Sequence, residues 1–410
     1  MRRTPAIAAA VALAGVPWLL AQIDELRLLP LNDPAIAYGR TPPQNRVTAL
    51  DAKLRSGAIK LKSTFAHGYL EAVLKALDVP VSSQLLVFSK TSFQAPKIGP
   101  RMPRAIYHND DTMVGWVQGG DVVEIAAVDP RQGVEFYTIS QGTSETPGIS
   151  RRGECSQCHV GDATLGVPGL VVRSTHVDRS GALILDSSSY VTDHRSPLEH
   201  RWGGWYVTGL TGKQEHMGNQ FVENPADADA MDLSDGTNIT DLHHYFDTTN
   251  YLRPDSDIVS LMVLEHQTRM VNLITRLGWE TRLAEENGQD LSRIDPYVEE
   301  LVKYMLFVDE TPLKSPIEGN SEYAKEFSAL GPRDSQGRSL RDFDLKTRMF
   351  RYPCSFLIYS AQFDGLPEEA LSRVYARLHA VLSGSEYPRM SADDRKAILE
   401  ILQATKKGWS

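Results

Sequence analysis

The residues in this chain best suited to chemistry are two cysteines and a histidine. Cys155 and Cys158 stand three positions apart, and His159 follows at once. With three cysteines in 410 residues, the chain has set two of them beside one imidazole. Three chemistries use such a cluster. Paired thiols can cycle through a disulfide, or supply half of a zinc site. They can also add across the two vinyl groups of a porphyrin, with the adjacent imidazole set under its iron.

The rest of the sequence weighs among these. A structural zinc site takes four ligands, commonly from a second Cys or His pair. Cys354 is the only other cysteine, and it stands alone in an apolar stretch that suits a buried thiol. A redox dithiol sits at a helix start after a strand, in a βαβ unit. Here residues 149–154 read as a loop, and glycines and a proline follow the motif. The N-terminus adds a further argument. Arg2 and Arg3 precede an apolar run from Ala6 to Ala21, and a small residue stands before Gln22. That is the pattern of a secretory signal over residues 1–21, with an uncleaved anchor as the alternative. Export leads to the compartment where bacteria attach haem c. The favoured reading is therefore one covalent haem c on Cys155 and Cys158, with His159 as proximal iron ligand. Zinc and the dithiol stay as alternatives.

The Cys-Ser-Gln-Cys-His segment resembles the attachment site of bacterial c-type cytochromes. Stretches such as HRSPLEHRWGGWYVTG and RYPCSFLIYSAQFDGLP are similar to those of the large, single-haem cytochrome c domain proteins. The resemblance implies haem binding and redox chemistry, and no particular substrate.

A haem iron has a sixth position, and its occupant sets the function. Methionine raises the reduction potential, a second histidine lowers it, and an open site admits substrate. His216 is the first candidate, with Met217 beside it and His266 on a helical apolar stripe as alternatives. His176, His194 and His200 read as exposed. Trp202 and Trp205, in a glycine-rich aromatic run, are candidates to cover a porphyrin face, or simply core. Arg173, Arg195 and Arg201 are candidates for its propionates, against a plain surface role.

The elements that must position these residues fall into two blocks. From 22 to about 60 the chain reads as loop. The stretch 67–80 has apolar Leu70, Val73, Leu74 and Leu77 at helical spacing. Between 83 and 140, runs rich in Val, Ile, Tyr, Phe and Trp alternate with Gly, Asn and Asp, the pattern of antiparallel hairpins. Another hairpin turns at Arg179–Gly181. Residues 223–241 read as an acidic linker, without the spacing of a calcium loop. After about 255 the period becomes 3.6, with Ser256 as N-cap, Pro296 and Pro367 opening later helices, and Ser391 capping the last. The expected fold is α+β: a β-rich haem domain over 22–240, then an α-helical domain over 241–410.

Net charge bounds the partners. At −9, and −11 once Arg2 and Arg3 leave with the signal, the surface repels phosphate backbones, so nucleic acid is not expected. No later segment is apolar enough to span a bilayer. The expectation is a periplasmic electron-transfer protein with a redox partner. Alternatives are a peroxidase-like haem enzyme with an open sixth position, and a haem-bearing sensor or subunit of a larger complex.

Overall fold

The computed structural model describes residues 28–409. The signal expected over 1–21 lies outside them. The chain opens with α1 (Arg46–Arg55) and α2 (Leu70–Ala76). Strands β1 (Leu85–Val87), β2 (Arg104–His108), β3 (Thr112–Trp116), β4 (Val122–Asp129), β5 (Gly133–Ser140) and β6 (Ile149–Arg151) follow. The short α3 (Ser156–His159) carries the cysteine–histidine motif. Then come β7 (Val172–Thr175), β8 (Ser189–Thr192) and β9 (Trp205–Tyr206). The rest is helical: α4 (Ile258–Glu286), α5 (Asp295–Met305), α6 (Tyr323–Ala329), α7 (Ala361–Asp364), α8 (Glu368–Ser383) and α9 (Ala392–Thr405).

Among the described residues, seven strands form one sheet in the order β6-β5-β4-β3-β2-β1-β9. Every pairing in it is antiparallel. Side chains alternate between its faces, so each face has its own job. Tyr107, Val114, Trp116, Ile125 and Ile139 point one way and pack with α1 and α2. Met113, Phe136 and the partly buried Ile106 and Ala126 point the other way, into the core that holds the later helices. The fold is α+β, with the helical region C-terminal.

That second core runs straight across the expected domain boundary. Leu85, Phe136 and Trp205 share it with Leu264, Leu301 and Leu402. The helices after residue 240 thus pack on the face of the sheet that carries the motif. The acidic stretch near 223–241 forms only short 3-10 turns, at Pro225–Ala230 and Ser234–Gly236.

Helix α4 departs most from its sequence reading. The 3.6 period marks one apolar stripe, yet Glu265, His266, Gln267, Asn272 and Glu280 are buried as well. The polar groups go inside because each has partners there. Gln267 donates to the Asn109 carbonyl at 2.6 Å, and Asn272 donates to the Leu170 carbonyl at 2.8 Å. The helix is central, touching β5, β7 and the helices α5 to α8.

Its cap is Asp257, not Ser256. The Asp257 carboxylate accepts from Val259 N at 2.8 Å and Ser260 N at 3.3 Å, and also from Ser321 N at 2.8 Å. Ser256 instead ties the helix start to the sheet, donating to the Tyr206 carbonyl and accepting from Leu86 N. Replacing Asp257 by Ala is expected to cost about 2 kcal/mol, read as a lower urea midpoint with unchanged slope. The other caps follow the sequence: Pro opens α5, and Ser391 Oγ accepts from Asp394 N at 3.0 Å. Helix α1 stands inside the stretch that reads as loop. Asn45 caps it with a full capping box, and Val47, Leu50 and Leu54 bury its inner face.

Candidate functional site

A cavity of about 410 Å³ lies on the face of the sheet covered by the later helices. That volume is in the range of small-molecule and cofactor sites. Its walls include Cys155, Cys158 and His159, with Ile106, Met113, Gly115, Glu124, Ala126 and Phe136 from the strands. Leu170 and Val172 close one side, and Trp205 and Leu264 another.

The motif reaches this cavity because β6 delivers it there. Residues 149–151 pair with β5, where a loop was expected. Arg152 N then donates to the Phe136 carbonyl at 2.8 Å, and a 3-10 turn at Gly153–Cys155 leads into α3. The strand lead-in does not restore the dithiol reading, since every pairing in the sheet is antiparallel and among the described residues it holds no parallel βαβ unit. Cys155 is half-buried and Cys158 exposed. Burial pushes the Cys155 thiol above its ordinary pKa, the opposite of an activated thiolate. Zinc fares no better: among the described residues, no three His, Cys, Asp or Glu side chains converge as metal ligands.

His159 is held in an informative way. Its Nδ1 donates to the Gly169 carbonyl at 3.0 Å, and Gly169 N donates back to the His159 carbonyl at 3.0 Å. The ring packs on Phe136 with centroids 4.6 Å apart. An imidazole that donates from Nδ1 keeps its lone pair on Nε2, the tautomer a metal ligand needs. Burial lowers its pKa and favours that neutral form. Two sulfurs, a pre-oriented imidazole and a mostly apolar cavity fit a covalent porphyrin.

The distal candidates do not join this site. His216, Met217 and His266 are all buried, but none lines the cavity. His216 Nδ1 accepts from Gly218 N at 3.1 Å, which places its proton on Nε2 and leaves no lone pair for a metal. The Met217 sulfur accepts from Ser174 Oγ at 3.5 Å. His266 uses both nitrogens: Nδ1 bonds His194 Nδ1 at 2.9 Å, and Nε2 bonds Ser355 Oγ at 2.7 Å. His176 and His194, read as exposed, are buried at 6% and 1%. Each sits under a chain segment that follows it, which spacing along the sequence does not reveal.

The expected propionate arginines are elsewhere too. Arg173 is exposed, Arg195 pairs with Asp193 at 2.7 Å, and Arg201 pairs with Glu265 at 3.1 Å in the interior. Arg104 and Arg152 line the cavity in their place. Arg104 forms an ion pair with Glu124, whose other oxygen accepts from Ser92 Oγ at 3.0 Å and Gln94 Nε2 at 2.7 Å. Of the two tryptophans, Trp205 lines the cavity and Trp202 does not. Cys354 is buried, and burial pushes its thiol up to about 12.

Buried histidines make stability sensitive to acid. Burial lowers His108 to about 4, His216 and His266 to about 3, and His194 well below its ordinary value. All four are neutral when folded and take up protons below about pH 6.5 when unfolded. Glu265 and Glu310, pushed up to about 7 by burial, offset part of this by holding protons in the folded state. The imidazoles outnumber them, so stability present above pH 6.5 is lost as pH falls towards 4. The expected slope near pH 5 is about 2–3 kcal/mol per pH unit, read from urea midpoints at several pH values.

Comparison with protein-family models, curated proteins and solved structures found no match to this chain.

Proposed function

We propose that this chain is a single-haem c-type cytochrome that transfers electrons in the periplasm. The observation that carries the reading is the bond from His159 Nδ1 to the Gly169 carbonyl, made beside both sulfurs at a cavity of cofactor size. Haem c, when bound, supplies one-electron chemistry. The chain's residues do the remaining work. Cys155 and Cys158 provide the thioether sulfurs. His159 offers Nε2, held in orientation by Gly169. Met113, Ala126, Phe136 and Leu264 keep water from the apolar end.

Exposed Cys158, Gln157 and Phe93 border the open side, which brings the site to the surface where an electron donor or acceptor docks. With a net charge of −9, a basic redox protein is the partner this surface favours. No helix among the described residues is long and apolar enough to cross a membrane. A haem enzyme is the second reading. What favours it is the Arg104–Glu124 pair, which puts polar groups inside the cavity where a small substrate would need them.

Export from a bacterial host that attaches haem c is the test. The expected product is coloured, keeps its pigment through acid–organic extraction, and cycles reversibly between ferric and ferrous spectra. A colourless exported protein would end this reading. Rapid turnover of peroxide would move it to the enzyme.

A further inference from the structure

The floor of the cavity shows where a flat cofactor would stand, and what would face it. Strands β3, β4 and β5 place Met113, Ala126 and Phe136 in one row, as direct partners across the sheet. The next row is Ile106, Gly115, Glu124 and Thr138. Neighbouring strands lie about 4.8 Å apart, so Met113 and Phe136 stand about 10 Å apart with the small Ala126 between them. The result is a trough: Phe136 and the His159 packed on it form one wall, and Met113 and Ile106 form the other. Arg104 closes the polar end by lying over Gly115, where an added Cβ would come within 2.6 Å of its guanidinium.

The second wall holds a single soft donor. Apart from the three motif residues, Met113 is the only His, Cys or Met among the described residues that lines the cavity. It is 7% exposed, and its sulfur makes no hydrogen bond among the described residues. A thioether binds iron through a sulfur lone pair and needs no proton released, so an apolar wall suits it. Its flexible side chain can adjust to the last ångström of such a fit.

We propose that Met113 Sδ is the sixth ligand of the iron, opposite His159. The inference rests on the haem c reading above. It replaces His216, Met217 and His266, whose donor atoms are engaged elsewhere, with a residue on a strand that precedes the motif in sequence.

The experiment uses the exported, haem-loaded chain and compares Met113→Leu, which keeps volume and apolarity, with Met113→His. Met113→Leu is expected to retain covalent haem, lose the six-coordinate low-spin spectrum, bind carbon monoxide when ferrous, and show a lower midpoint potential. Met113→His is expected to restore a low-spin spectrum at a still lower potential. His216→Gln, Met217→Leu and His266→Gln, wherever they fold, are expected to leave the wild-type spectrum in place. A Met113→Leu protein with wild-type spectrum and potential overturns the proposal and leaves the haem reading standing. A wild-type chain without covalent haem overturns both.

Discussion

Changing Cys155 and Cys158 together to Ser is expected to abolish covalently retained pigment while leaving the fold intact. The two parts of that expectation have separate causes. On the haem c reading, pigment depends on thioether bonds, and serine oxygens do not add to the vinyl groups in their place. The fold depends little on these sulfurs, because Cys158 is exposed and Cys155 only half-buried. Substitutions at such positions usually shift stability by no more than about 0.5 kcal/mol. Each single variant is expected to keep one bond and some colour, with a shifted ferrous band from the unreacted vinyl. Unchanged far-ultraviolet circular dichroism beside lost pigment separates lost attachment from lost folding. Full pigment surviving extraction in the double variant would mean that the sulfurs are not the attachment points.

The second large effect is expected in the interior, at Arg201. Its side chain is 2% exposed and that of its partner Glu265 is 0% exposed. Arg201 also donates to the carbonyls of His194 at 3.1 Å and Ser196 at 2.6 Å, and Thr192 Oγ1 donates to Glu265 at 2.6 Å. Removing one partner strands the other charge in a place water does not reach. Arg201→Met is expected to cost about 3–5 kcal/mol at pH 8, measured by urea unfolding. Glu265 is already pushed up to about 7 by burial, with Arg201 pulling against that. Without the arginine it takes a proton more readily, so the penalty is expected to shrink towards pH 5.5. The double change Arg201→Met with Glu265→Leu is expected to recover most of the loss. Retained pigment in Arg201→Met would agree with a structural role; pigment lost from a stable variant would return Arg201 to the cofactor. A single-variant loss under about 1 kcal/mol would show that the ion pair does not matter to stability.

The cysteine–histidine cluster and the order of sheet then helices were legible because both are local. Cys155, Cys158 and His159 are three neighbours, and strand or helix periodicity is read over a dozen residues. The second wall of the cavity was not legible. Met113 precedes His159 by tens of residues and comes near it only through the β3–β4–β5 register, which sequence spacing does not encode. His266 drew attention as a lone imidazole on an apolar face. Its partners, His194 and Ser355, lie 72 and 89 positions away, so its saturation could not be seen. Helix α1 could have been found, since Val47, Leu50 and Leu54 follow the helical period and Asn45 stands at the cap. The prolines and glycine just before it are loop chemistry, and they mask that period.

The imidazole is joined to α4 by a short chain of bonds. Gly169 grips His159 through both its carbonyl and its N–H, and the next residue, Leu170, bonds Asn272 of α4 through both of its own. At position 169, an added Cβ would come within 2.1 Å of the Asn272 amide oxygen, so the joint has no slack. Helix α4 runs for 29 residues, about 43 Å at the usual rise. Any displacement of the ring therefore pushes on a long stiff rod rather than dying out in a floppy loop. The helices α5 to α8, which pack along that rod, thus stand in mechanical contact with the imidazole.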